Sequence, residues 1–110
     1  MKAPGENSRE EIAQVKPSVA LESHRIAVQS AAERHKLTNP RVFGSTVRGT
    51  DTAGSDLDIL VDPLPNATLF DLGGFQDEME ELLGVRVDVR TPGDLPTPIR
   101  DRVLSEAKPV

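Results

Sequence analysis

Arg-Val-Phe-Gly-Ser-Thr-Val-Arg-Gly-Thr-Asp-Thr-Ala-Gly-Ser-Asp-Leu-Asp-Ile-Leu, residues 41–60, is the stretch whose reading decides the fold. A short apolar run, Val42-Phe43, enters Gly44-Ser45; Arg48-Gly49 follow; a turn-rich loop runs to Ser55; and two aspartates one residue apart, Asp56 and Asp58, head the apolar run through Val61. Side chains on a strand alternate faces, so Asp56 and Asp58 share one face while Leu57, Ile59 and Val61 turn to the other, into a core. Two carboxylates ~7 Å apart on one face repel each other when bare.

A hard divalent cation removes that conflict, and Mg2+ takes one or two carboxylates together with phosphate oxygens. Gly44 lets a backbone come close to a ligand, Ser45 offers a hydroxyl and an N–H to a phosphate, and Arg48 adds a charge-assisted fork. One helical turn over Ser45–Arg48 would aim further N–H groups the same way. Each feature alone also reads blandly, as an edge-strand face, an ordinary turn and a surface charge. In this order and spacing, together, they point to a site for a metal-bound triphosphate.

Outward from this centre, Asn39-Pro40 reads as the end of a helix and the start of a strand over Arg41–Phe43. The preceding helix begins near Pro17 and runs to about Leu37, with Val19, Leu21, Ile26, Val28, Ala31 and Ala32 partly on one face. His24 and His35 lie on it and read as solvent-facing, since no second ligand is spaced to help them bind a metal. Residues 1–16 read as an arm or a short helix, with Ser8 as N-cap and Glu11 closing a capping box. The domain proper is expected over residues 17–110.

On the C-terminal side, Leu64-Pro65-Asn66 is a linker, and Thr68 or Asn66 caps a helix in which Leu69, Leu72, Phe75, Met79, Leu82 and Leu83 keep helical spacing. Gly73-Gly74 weaken its middle by ~1 kcal/mol each relative to alanine, and Gly84 stops it. Its acids, Glu78, Glu80 and Glu81 among them, read as a solvated face. Val85-Arg86-Val87-Asp88-Val89-Arg90 alternates as a half-exposed strand, valines on one side and Arg86, Asp88 and Arg90 on the other. Beside the aspartate strand, Asp88 becomes a candidate third carboxylate; Arg86 and Arg90 read equally as salt-bridge partners or as lining of the site. A last helix spans Pro98–Ala107 with Ile99, Val103, Leu104 and Ala107 inward. The order strand, phosphate turn, strand, helix, strand, helix implies an α/β (α+β) domain with a small mixed β-sheet flanked by helices, strand order left open.

Gly44-Ser45, Arg48-Gly49 and Ser55-Asp56-Leu57-Asp58-Ile59 together resemble the signature of the DNA polymerase beta-like nucleotidyltransferase superfamily. Within it the chain, from about Arg41 onward, resembles the minimal nucleotidyltransferases, the small MntA-type antitoxins encoded beside HEPN-domain toxins. The resemblance implies a polymerase beta-like core; ATP as substrate; two Mg2+ ions held by Asp56, Asp58 and Asp88, which would also be the catalytic carboxylates; and phosphate binding by Gly44, Ser45 and Arg48. It implies transfer of AMP to a tyrosine of a HEPN ribonuclease toxin. The alternative kept beside it is a catalytically silent antitoxin that neutralises the toxin by binding alone.

Composition agrees with these expectations. At 110 residues there is room for one modest core. Eighteen acidic against 13 basic residues, a formal net charge of -5, argue against nucleic acid as the main partner and suit a basic protein surface instead. There is no cysteine, so disulfides and thiolate metal sites are excluded. No apolar run approaches membrane-spanning length, and a cytoplasmic protein is expected. Three phenylalanines, with no tyrosine or tryptophan, leave few surfaces on which a base can stack, and the chain is not its own tyrosine target.

Overall fold

A computed structural model describes residues 15–110. The chain runs through α1 (Pro17–Glu22), α2 (Arg25–Arg34), β1 (Leu37–Phe43), α3 (Ser45–Arg48), β2 (Leu57–Pro63), α4 (Leu69–Leu83), β3 (Val87–Arg90), a 3-10 turn (Pro92–Asp94), α5 (Thr97–Glu106) and β4 (Lys108–Pro109). The strands form one mixed sheet in the order β3-β2-β1-β4. β1 is antiparallel to β2, with Phe43 opposite Asp58, and β2 is parallel to β3, with Asp58 opposite Asp88. The parallel pair follows from its connection: a 15-residue helix is long enough to carry the chain back over the sheet, as a tight turn is not. The expected small mixed sheet is what forms.

Alternation along β2 and β3 sorts side chains between two layers. Leu57, Ile59, Val61 and Val87 join Val28, Ala31, Ala32, Phe75, Met79 and Leu83 in the main core, under α2 and α4. Leu60 faces the opposite way and packs with Leu95 and Val103, flanked by Phe43, Ile99 and Ala107. α5 therefore covers only part of the second face, and Asp58 and Asp88, two positions N-terminal of Leu60 and Arg90, lie beyond that cover. Fully burying a leucine, isoleucine or phenylalanine is worth about 1.5–3 kcal/mol, and this main core is what holds the two acids in register.

Several elements differ from the sequence reading. The single helix expected from Pro17 to Leu37 is broken at Ser23-His24, which shifts its helical phase; Val28, Ala31 and Ala32 stay inward while Val19 and Ile26 are exposed. β1 begins at Leu37, four residues early, and absorbs Asn39-Pro40 as a bulge: the pairing register shifts between Thr38 and Arg41, and Asn39 takes φ of 52°. Asparagine tolerates that left-handed conformation, and a bulge accommodates a proline that cannot donate to the ladder. Leu69 and Leu104 turn outward, Leu69 because it is the first residue of α4, ahead of the part that packs on the sheet. The arm or helix expected over residues 1–16, with its Ser8–Glu11 cap, lies outside the described residues but for Val15 and Lys16.

Two further expectations are corrected. His35 is not solvent-facing: its Nε2 lies 2.9 Å from Glu78 Oε1, and its ring meets Phe75 edge-on. Gly74 permits this, since a Cβ there would come within 3.1 Å of the imidazole. His24 is half-buried, its Nδ1 2.8 Å from the Ala20 carbonyl. Nor is the acidic face of α4 simply solvated. Glu80 Oε2 accepts from Val87 N–H at 3.0 Å and Gln76 Oε1 from Val89 N–H at 3.3 Å, so α4 side chains satisfy donors of the edge strand β3. The Arg34 hydrogen bond, and then that of His35, hold the Glu78 carboxyl down at about 2. The capping choice falls to Thr68, which accepts from Asp71 N–H while Asp71 accepts from Thr68 N–H.

The loop after α3 is pinned by Asp51, the one buried charged side chain among the described residues; it accepts from Ser18 N–H at 2.9 Å, at the start of α1. Asp51→Ala should cost about 1 kcal/mol, because the half-buried Ser18 N–H loses its charged acceptor. Urea unfolding measures this, and a change near zero would mean that the loop is held by other contacts.

Candidate active site

β1 delivers Gly44 to the end of the sheet directly beside the first aspartate strand. Gly44 adopts φ of 77° and ψ of -150°, a conformation costly for any residue with a Cβ. Space alone would also demand glycine: a Cβ at this position would collide with Asp58 Oδ2. The carbonyl of Gly44 then accepts from the N–H groups of Val47 and Arg48 at 3.1 and 3.2 Å, closing α3 as a single turn that ends at Gly49, itself at φ of 73°. Ser45 opens that turn half-buried, and Arg48 projects from its end.

Asp58 meets this turn at Gly44, and two further carboxylates, Asp56 and Asp88, lie near enough for their charges to act on it, each in a different setting. Asp56 precedes β2 and is exposed, with Oδ1 3.1 Å from Arg86 Nε. Asp88, opposite Asp58 on β3, has both oxygens near Arg90 Nε, at 3.0 and 3.2 Å. Arg86 and Arg90, left undecided by the sequence, are thus the ion-pair partners of the outer two acids. Asp58 is half-buried between them and, among the described residues, forms no ion pair. Its carboxyl is pushed up to about 6, first by burial, then by the charges of Asp88 and Asp56, against the opposing pull of Arg90 and Arg48.

A fourth acid was not foreseen. Glu106, the last residue of α5, reaches back across the chain: Oε1 accepts from Gly44 N–H at 3.1 Å, and Arg48 Nη1 lies 3.2 and 3.4 Å from its two oxygens. Nothing in its local sequence signals this, because the contact spans 62 positions. Next to Asp88, a cavity of about 170 Å3 opens between Phe43, Arg90, Leu95, Pro96 and Ile99.

As placed, no three acidic or histidine side chains among the described residues converge into a ready-made ion cage, the outer two aspartates being turned to their arginines. The donor set nevertheless suits Mg2+. It is all oxygen, supplied by two strands, and its central member is a carboxylate whose charge is disfavoured until a cation joins it.

The raised Asp58 value has a consequence for stability. The folded state binds this proton more tightly than the unfolded chain does, so its contribution is fully present below the ordinary value of 3.8 and is lost as pH rises through about 6. Asp58→Asn should therefore stabilise the metal-free protein at pH 7 by about 1 kcal/mol, once solvent screening of a half-buried group is allowed for. It should also flatten the pH dependence between 4 and 7. Thermal melts across that range read both; a variant less stable than wild type at pH 7 would show that the Asp58 charge is already compensated.

The model of the nucleotidyltransferase domain matches residues 24–110. A protein of Thermococcus cleftensis named protein adenylyltransferase MntA is 39% identical over 74 residues, which cover 67% of this chain and 75% of the relative. A solved structure described as a minimal nucleotidyltransferase superposes with a TM-score of 0.77 at 41% identity, covering 84% of this chain and 95% of the other. A crystal structure of a toxin–antitoxin with AMP-PNP shares the fold, with a TM-score of 0.62 at 22% identity over 73% of this chain and 66% of that one.

Proposed function

The chain belongs to the nucleotidyltransferase domain family, and from that membership we propose that it is a Mg2+-dependent protein adenylyltransferase and an antitoxin. In this reading it moves AMP from ATP to a hydroxyl, that of a tyrosine, on a cognate HEPN ribonuclease toxin and so neutralises it. The observation that carries the reading is the register of β2 and β3, which sets Asp58 opposite Asp88 while Gly44 closes on Asp58 from β1. The naming of a 39% identical relative as a protein adenylyltransferase supports protein as the acceptor. The net charge of -5 suits a basic partner surface.

Transfer of AMP forms a bond from the acceptor oxygen to the α-phosphorus and breaks the bond to the β-phosphate oxygen, releasing pyrophosphate; the acceptor hydroxyl gives up its proton. Asp56, Asp58 and Asp88 would hold Mg2+. When bound, the ion supplies positive charge to the attacking and leaving oxygens. The Asp88 carboxylate, at the edge of the site and beside the 170 Å3 cavity, would take the acceptor proton. Arg90, 3.0 Å away, provides a positive charge next to it. Ser45 and the backbone at Gly44 seat phosphate oxygens, and the Arg48 guanidinium offsets charge building on the departing pyrophosphate.

The test is intact-mass spectrometry of the neighbouring gene product after incubation with this protein, ATP and Mg2+. Wild type should add the mass of AMP; Asp58→Ala should add none while remaining folded; Asp88→Asn should keep nucleotide binding better than it keeps turnover. A stable complex formed equally by wild type and Asp58→Ala, with no added mass, would replace this reading with that of an antitoxin acting by binding alone.

A further inference from the structure

Glu106 occupies donors of the Gly44 turn. Its two oxygens lie between a backbone N–H and a guanidinium, accepting from Gly44 at 3.1 Å and facing Arg48 Nη1 at 3.2 and 3.4 Å. A backbone N–H flanked by an arginine is a donor set for an anion, and charge-assisted bonds are the strong ones. The carboxylate is presented there by its own backbone. α5 ends at Glu106, Ala107 N–H closes on the Val103 carbonyl at 2.9 Å, and the next two residues enter the sheet as β4, with Lys108 opposite Val42 and Pro109 opposite Arg41. This pairing fixes the main chain of Glu106 beside the Gly44 turn. Its side chain, 22% exposed, has solvent beside it into which to swing.

Gly44 has a single N–H, and a triphosphate brings its own negative charge to the same donors. Glu106 and a phosphate oxygen cannot both hold the Gly44 N–H, and they share the charge of the Arg48 guanidinium. Building on the phosphate-seating role given above to Gly44 and Arg48, we propose that Glu106 is a built-in competitor for the nucleotide. It fills the phosphate seat of the free protein, holds the Gly44 turn and Arg48 in their binding arrangement, and is displaced when the triphosphate enters. The free protein then keeps a preformed cradle at the expense of affinity, which makes it selective for ligands carrying enough negative charge to expel a carboxylate.

Calorimetric titration with AMP-PNP and Mg2+ tests this on the full chain, comparing wild type with Glu106→Gln and Glu106→Ala. Thermal melts establish that each is folded. Removing a charge-assisted competitor should tighten binding about tenfold in Glu106→Ala, with a smaller gain in Glu106→Gln, which keeps an acceptor for Gly44 N–H. Asp101→Asn removes one charge from an exposed position of α5 and should leave affinity unchanged. Affinity equal to or weaker than wild type in both Glu106 variants would overturn the proposal, since Glu106 would then be positioning Arg48 for the ligand. A gain as large in Asp101→Asn would also overturn it, reducing the effect to net charge. Wild-type binding untouched by these variants sinks the competitor role alone, whereas no binding by any of the proteins sinks it together with the reading of the site.

Discussion

Asp58 and Asp88 stand side by side across a parallel strand pair, and the rest of the structure is arranged to keep them there. Alternation ties their position to that of their neighbours: with Leu57, Ile59 and Val61 committed to the core beneath α4, Asp58 has no freedom to turn away. Phe75, Met79 and Leu83 of α4 bury the apolar side of both strands, and the same helix, as the crossover, makes the strands parallel. The core thus supplies the free energy that holds an unfavourable pair in place.

The charges around the pair follow a pattern. Asp56 has Arg86, Asp88 has Arg90, and Glu106 has Arg48; each of the three outer acids has its own cation. Asp58 is the one without, and burial, then the charges of Asp88 and Asp56, raise its carboxyl value. A site balanced at its rim and deficient by one positive charge at its centre is suited to a divalent ion arriving with its phosphates.

Much of this was legible in the chain because the informative residues are close in sequence. Gly44, Ser45, Arg48, Asp56 and Asp58 fall within 15 positions, and their order alone indicated a phosphate turn followed by an acidic strand. Asp88 was found by alternation, although its register against Asp58 was not, since parallel pairing is decided by how α4 packs. The residues that escaped act over distance. Asp51 reaches Ser18 across 33 positions and Glu106 reaches Gly44 across 62, and no local pattern marks either. Helix and strand limits were misjudged where a break or a bulge overrode propensity: Ser23-His24 splits the first helix, and β1 passes through Asn39-Pro40 where a proline ordinarily signals a stop. The acids of α4 looked solvated because their partners, the donors of β3 and the side chains of Arg34 and His35, belong to other elements.

The most direct measurement is the titration of the Asp58 side-chain carboxyl by carbon-13 NMR, with and without saturating Mg2+ and AMP-PNP. In the free protein the carboxyl should titrate near 6. With the ion and nucleotide present it should stay ionised to well below its ordinary value of 3.8, because the missing positive charge has been supplied. An Asp58 that titrates at the ordinary value in the free protein, or that does not respond to Mg2+ and nucleotide, would contradict a cation site built on this pair.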